Sequence, residues 1–504
     1  MSGASRPRWW LGLLIFAAIG GVLTWIWVIQ DSEHRQGQVI RTQMTLTVGS
    51  ILFGVWWLVL SALAWRTRII GVVVVGALVG AFFGTFRYAG VDGDLVPVFR
   101  YRWSSVETTW TGVALTGVAQ DYPGFLGTQR DGVVTGVELA RDWEASPPQL
   151  VWRRPMGTGW SGFAVAGDRA VTQEQHGDEE RVVCYELASG KLLWSIADPV
   201  RYVSNLAGDG PRATPTIAEG RVYTLGGTGV VNAIDLATGA RLWTRDVARE
   251  SQSDGLTWGM SGSPLVHEGR VIVGTGATEG LALTALDANT GLPVWGAGDD
   301  IAGYAAPFVA TLAGVTQIIA FNGASVSGHD VGTGRVLWAH PWSSRQPNIA
   351  QPLPVGGDRL LVSSGYRVGS RLLRLKPGTD GGLDAETVWR SARLKSKFAS
   401  MILHQGSVYG LDDGILTCLD VETGGRRWKA GRYGHGQIIR VGDVLFVMTE
   451  MGDIVLVALD AAEHRELTRF NVIEGKVWNP PALAGSRLLV RNNREAALFL
   501  LPVQ

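Results

Sequence analysis

The stretch from Ala233 to Trp243, Ala-Ile-Asp-Leu-Ala-Thr-Gly-Ala-Arg-Leu-Trp, constrains what this chain can fold into more than any other. It reads as an apolar strand, an Asp, a Thr-Gly turn and a short strand carrying Trp. The Asp side chain can close the turn on backbone N–H groups just ahead of it, and Gly takes a left-handed φ at no steric cost. The pattern returns at Asp287 with Thr290-Gly291 and Trp295, at Asp330 with Thr333-Gly334 and Trp338, and at Asp420 with Thr423-Gly424 and Trp428. A looser copy joins Glu186 to Ser189-Gly190 and Trp194. Copies spaced by roughly 40–50 residues mark a repeat architecture such as a propeller.

Each copy ends a unit of four short strands. In the clearest unit a strand starts at Pro215, Gly220 turns it, Arg221 to Leu225 returns, Val230 to Asp235 runs third and Ala240 to Arg245 runs fourth. Strands of about five residues joined by hairpins make a four-stranded antiparallel sheet. Pro215, Pro264, Pro307, Pro352 and Pro480 share one place, the start of a first strand, where a missing N–H costs least. With Gly162, Met401 and Gln437 they give eight first strands. The 67 glycines and 21 tryptophans suit so many short strands and tight turns. Fourth strands are one short at the C-terminus, and Gln149 to Arg154, which has a Trp but no preceding repeat, supplies the missing one. The expected fold is all-β: an eight-bladed propeller over 149–504, closed by strand 149–154 and leaving few exposed sheet edges. An indole on each outer strand can bury against the neighbouring blade. Trp152, Trp194, Trp243, Trp295, Trp338, Trp389 and Trp428 are the expected docking residues.

The first 88 residues differ in kind. Three apolar runs, about 9–29, 44–65 and 69–86, carry no charge in their interiors and are long enough for membrane-spanning helices. Trp9, Trp10, Trp27 and Trp65 stand near their ends, where an interfacial belt forms. Without intramembrane ionisable groups the helices read as an anchor rather than an ion path. Arg6 and Arg8 ahead of the first run, and Arg66 and Arg68 between the second and third, favour a cytoplasmic N-terminus. The loop between the first and second runs mixes Arg35 and Arg41 with Asp31 and Glu33. Three spans would then place the propeller outside the cytoplasm, on an integral inner-membrane protein. Residues 89–148 are expected to lie against the propeller, the aromatic patch Tyr122 to Gly127 and the following Arg130-Asp131-Gly132 seeking a surface to cover.

Little points to chemistry. Lysine plus arginine equals aspartate plus glutamate, 45 each, so net charge gives no reason to expect nucleic acid. Cys184 and Cys418 fall on equivalent strands of non-adjacent repeats and read as small buried residues. Asp178-Glu179-Glu180 beside His176 could bind a metal, but a solvated hairpin loop is the better reading.

The Asp-x-x-Thr-Gly-x-x-x-Trp turn resembles the tryptophan-docking repeat of pyrroloquinoline quinone (PQQ) dehydrogenases and of the BamB family. Thr172 to Gln175 with Cys184-Tyr185, Gly431 to Gly436 and Glu474 to Asn479 are similar to segments of PQQ-binding-like β-propeller repeat proteins. The seventh blade departs, with Glu463-His464 for Thr-Gly and Thr468 for Trp. The resemblance implies one of two functions. A BamB-like, non-catalytic, membrane-anchored platform would bind a protein partner and need no cofactor. A quinoprotein dehydrogenase would hold PQQ with calcium. A small-ligand sensor is a third possibility. The dehydrogenases often carry a vicinal disulfide beneath the quinone, which this sequence lacks.

Residues just ahead of each first strand converge on the ring axis. Trp160, Arg212, Tyr304, Lys397, His435, Lys476 and Trp478 occupy those places and are the candidate ligand-binding residues. Cations and aromatics together suit a flat anion or an acidic peptide.

Overall fold

The computed structural model describes residues 8–30, 35–116, 120–204, 206–253, 255–277, 279–343, 346–378 and 382–504. They form two compact units, Met1–Ser105 and Val106–Gln504.

In the first unit, three helices are long and apolar enough to cross a membrane: Trp9–Ile29, Arg35–Leu60 and Trp65–Thr85. The first two approach closely because glycine removes side-chain bulk at the crossing. A Cβ on Gly12 would strike the Trp56 ring at 2.7 Å, and one on Gly49 would strike Ile19 at 2.4 Å. The second helix begins at Arg35, well ahead of the apolar run at Met44. Its polar first turns are held by side-chain bonds that hydropathy does not register: Arg35 pairs with Asp94 at 3.4 Å, and Gln43 donates to the Leu95 carbonyl at 2.8 Å. Phe86–Val91 and Pro97–Tyr101 then form an antiparallel hairpin directly after the third helix. Arg87, Arg100 and Arg102 in and beside that hairpin balance Arg8, Arg66 and Arg68 at the opposite helix ends, so arginine placement does not fix the orientation. Arg6, Asp31 and Glu33 lie outside the described residues.

The second unit is an eight-bladed propeller. Sheets occupy 164–198, 216–246, 265–297, 308–341, 353–391, 402–432 and 437–471, and the eighth runs through 482–500. Gln149–Pro155 pairs antiparallel with Glu495–Leu500 and closes the ring. In the second sheet the register runs Thr216↔Tyr223, Tyr223↔Ala233 and Ala233↔Trp243, with successive strands from the axis outward. Every fourth strand skips one residue just ahead of the Trp position, at Val151, Leu193, Leu242, Val294, Leu337, Val388, Arg427 and Leu467. A bulge bends a strand and re-aims the side chain beside it. Nothing in the sequence pattern marks this feature.

The recurring turn does two things at once. Asp287 accepts from the backbone N–H of Asn289 and Thr290 at 3.0 and 2.8 Å and from the Thr290 hydroxyl at 2.8 Å. Asp235, Asp330 and Asp420 repeat the Thr contacts. The glycine that follows has positive φ, +71° at Gly291, and carries the preceding blade's indole, so a Cβ there would meet the Trp243 ring at 2.7 Å. Gly190, Gly239, Gly334 and Gly424 seat Trp152, Trp194, Trp295 and Trp389 in the same way. Most of these indoles also donate to a carbonyl of the next blade: Trp152 to Leu187 (2.8 Å), Trp194 to Leu236 (3.0 Å), Trp243 to Ala288 (3.0 Å) and Trp389 to Val421 (3.0 Å). Trp338 bonds Gln317 of its own blade, and the Trp295 N–H finds no partner among the described residues. At the seventh blade Trp428 donates to the Asp460 carbonyl at 2.9 Å and meets the His464 ring edge-on. Thr468, which replaces the seventh-blade Trp, accepts from the backbone N–H of buried Trp143.

Residues 121–134 run along the inner strands. Tyr122 exchanges backbone bonds with Val165, and Pro123 accepts from Ile217. The Arg130 guanidinium donates to the Ser263 and Pro264 carbonyls at 2.9 Å, while its own carbonyl accepts from Gln351. Val133–Val134 adds a parallel strand to Gln437–Val441. One segment thus touches the first, second, third, fifth and seventh blades at the axis.

Candidate functional site

Loops that enter first strands and loops that join second to third strands open on one face of the ring. Trp160, Lys476 and Trp478 meet there: the two indole rings are 4.9 Å apart, and the Lys476 Nζ lies 4.8 Å from the first and 3.9 Å from the second. Phe398 extends the cluster, 4.9 Å from Trp478 and 5.6 Å from His435. Lys397 sits over the Tyr366 ring at 4.6 Å. Both lysines are buried, 2% and 4% exposed, so their charge acts in a setting of low dielectric. Burial pushes the Tyr366 phenol well above its ordinary value, with a smaller push from Tyr304.

Arg212 and Tyr304 occupy the other side of the mouth. The Arg212 guanidinium stacks on Tyr202 at 4.4 Å and donates to the carbonyls of Gly208 and Gly210. Burial lowers its pKa, opposed by Tyr202, Glu180 and Asp209. The same loop receives the Trp160 indole N–H at the Ala207 carbonyl. Arg212 therefore shapes a loop as well as carrying charge. Tyr304 borders a cavity of about 770 Å³ walled also by Trp258, Glu279, Ile301, Gln346 and Asn348, but none of the lysine-cluster residues lines it.

Nearby carboxylates are already engaged. Glu450 accepts from the Trp478 indole at 2.7 Å and the His435 backbone N–H at 2.9 Å. Asp412, fully buried, lies between Lys395 at 2.6 Å and Lys429 at 2.5 Å. Glu174 takes the Tyr185 hydroxyl and the Gly157 N–H; burial alone would raise its pKa, but His176, Arg491 and that N–H hold it below the usual range. The segment His176 to Glu180 is a hairpin turn, in which Asp178 pairs with Arg201, Glu179 pairs with Arg181 and Glu180 points inward to the Gly227 N–H. Among the described residues no group of three or more His, Cys, Asp or Glu could hold a metal. Cys184 and Cys418 are buried and unbridged, and burial pushes the Cys184 thiol up to about 12.

Phe398, Tyr366 and Glu450 were not candidates on sequence. Phe398 was within reach, since it adjoins Lys397; Tyr366 and Glu450 come from joining loops whose positions follow only from the closed ring.

The family profile described as outer membrane protein assembly factor BamB matches residues 138–257 and 210–430. The chain belongs to this family. A BamB of Xanthomonas campestris pv. campestris is 39% identical over 79 residues, covering 16% of this chain and 20% of that protein. A 1-butanol dehydrogenase (cytochrome c) of Thauera butanivorans is 40% identical over 88 residues, 17% of this chain and 12% of its own length. The chain thus spans a fifth or less of these two curated relatives. The crystal structure of BamB from Moraxella catarrhalis aligns with TM-score 0.52 at 18% identity, over 70% of this chain and all of that one, a likeness of fold. BamB-type and dehydrogenase-type propellers both stand among the relatives.

Proposed function

We propose that this protein is a membrane-anchored, non-catalytic binding platform whose propeller lies outside the cytoplasm and whose channel mouth receives an anionic ligand or an acidic segment of a partner protein. The observation that carries this reading is the pair of buried lysines, Lys397 and Lys476, each set against aromatic faces at one end of the ring. Cation and ring surface together recognise a flat or extended anion. The BamB relative, named as an assembly factor, favours a protein partner. The same family favours the extracytoplasmic placement, and three spans would then leave the N-terminus in the cytoplasm. A reporter fused after Gln504 that works only outside the cytoplasm is the expected result; activity of a cytoplasmic reporter there would reverse it.

A second reading, a PQQ dehydrogenase, draws on the same lysines and rings, because the quinone is itself a polycarboxylate. Its calcium is a poor fit: Glu450, Asp412 and Glu174 are each bonded to protein donors, and the described residues offer no metal-ligating cluster. Detergent-purified protein supplied with PQQ and calcium should show no dye-linked oxidation of alcohols or sugars. Turnover would replace the platform by the enzyme. The double change Lys397→Met with Lys476→Met should abolish binding of an anionic partner while the propeller still folds. It is a cleaner test than one through Arg212, which also holds two loop carbonyls.

A further inference from the structure

The outer strand of the fifth blade departs from its neighbours at one register. In three blades the residue after the docking-Trp position is a cation met by a carboxylate: Lys429 by Asp412 at 2.5 Å, Arg469 by Asp453 at 2.8 Å and Arg153 by Glu495 at 2.6 Å. Uncharged residues, Thr417, Val455 and Ala497, stand opposite these cations on the paired strand. In the fifth blade the place holds Arg390, and the residue opposite is Arg371. Like charges that face each other across two strands weaken the pairing.

The strand's own acids are turned away. Asp384 and Glu386 share a side with Lys376 and Arg374, and the bulge at Val388 moves Arg390 to the other side, with Arg371. Arg371 is held in place: its Nη1 donates to the Pro341 carbonyl at 2.9 Å, and its guanidinium lies 4.3 Å from the Trp342 ring centre. Arg390 has no side-chain hydrogen bond or ion pair among the described residues. Both arginines, with His340, Pro341, Trp342 and Ser343, line a cavity of about 330 Å³. Trp342 opens the loop that enters the fifth blade and Arg371 follows a joining loop, so the cavity lies at the rim of the mouth face. His340 does not supply the missing counter-group, since its Nδ1 donates to the Ala385 carbonyl and its Nε2 accepts from the Thr387 hydroxyl, both at 3.3 Å. Burial first, and then Arg390, lowers the Arg371 pKa, and no carboxylate acts against them.

We propose that this cavity binds the carboxylate of a small organic acid, which takes the place that Asp412, Asp453 and Glu495 fill in the other blades. Guanidinium forks match carboxylate oxygens through paired N–H bonds. The volume, at the lower end for ligand pockets, suits a molecule of a few carbons rather than a peptide segment. The site is distinct from the lysine cluster and does not depend on the function proposed for it.

The test melts the full chain in neutral detergent at constant ionic strength, with sodium succinate exchanged for chloride. Saturating succinate should raise the wild-type melting temperature by on the order of 2 °C. Arg390→Gln should fold and lose that rise. Arg390→Glu, which supplies a carboxylate from the chain itself, should melt higher than wild type without succinate and should not respond to it. Lys397→Met with Lys476→Met should keep the rise. No rise in the wild type, an equal rise in Arg390→Gln, or a lower melting temperature in Arg390→Glu overturns the site. Loss of the rise in the lysine variant overturns it too, by placing the acid at the channel mouth. A rise with a hexaglutamate peptide and none with succinate overturns the small acid in favour of a partner's acidic side chain.

Discussion

The seams between blades and the mouth of the channel use the same residue types to opposite ends. At a seam, Trp243 rests on Gly291 and donates to Ala288, a contact that recurs with small changes around most of the ring. At the mouth, Trp160 and Trp478 face each other with Lys476 against both, an arrangement found once among the described residues. Repetition is what a structural role produces, because each blade must solve one packing problem. A cluster that departs from the repeat has no such packing problem to solve, and the proposed ligand site gives it a reason. The comparison teaches that function in this propeller is to be sought where the repeat is broken.

The largest effect should come from the closing seam. Trp152 is 1% exposed, rests on Gly190 and holds the strand that joins the two ends of the propeller. Trp152→Ala should lower stability by about 3–5 kcal/mol, read as a drop in the denaturant midpoint at unchanged slope. A loss below about 1 kcal/mol would mean that the indole is not docked. The corresponding change at the mouth, Phe398→Leu, should be milder and should act first on ligand binding.

Next in size is the glycine that seats an indole. Gly291→Ala meets both a positive φ and the Trp243 ring, and should cost about 1–3 kcal/mol. Gly269→Ala, at the same φ of +71° but with nothing within 4 Å, separates the two causes. Equal losses at both positions would show that backbone conformation alone is responsible.

These predictions also mark how far the sequence could be read. The Asp-Thr-Gly turn was legible because its interactions span only a few residues, and the Pro marks and the unpaired 149–154 strand counted the blades. The bulge ahead of each Trp was not legible, since register is a property of two strands and leaves no mark in one. Tyr366 and Glu450 escaped for a similar reason: they reach the mouth from joining loops, and only ring closure brings them to Phe398 and Trp478. Arg35 to Gln43 read as a loop because hydropathy weighs apolar surface and not the bonds to Asp94 and Leu95 that hold the helix start.

A smaller effect separates turns from interior by pH. Bonds from the Thr hydroxyls and backbone N–H groups hold Asp235, Asp287 and Asp330 below the usual carboxylate value. Their stabilisation is complete above that ordinary value and lost as pH falls through the lowered one. Glu180 behaves in the opposite way. Burial raises it to about 7, so its ionisation costs stability as pH climbs from the ordinary carboxylate range toward 7. Glu180→Gln should therefore raise the melting temperature at pH 8 relative to wild type and change it little at pH 4. A gain at pH 4 equal to that at pH 8 would show that the carboxylate is not the cause.

The central claim is that the broken repeat at the mouth, and not the regular blade sides, is the working surface. A photo-crosslinking residue placed at Tyr366, in the mouth, and another at Val388, exposed on an outer strand, test this in native membranes. The account predicts a discrete adduct from Tyr366, lost when Lys397 and Lys476 are changed to Met, and none from Val388. An adduct from Val388 alone, or one at Tyr366 that persists without both lysines, would contradict it.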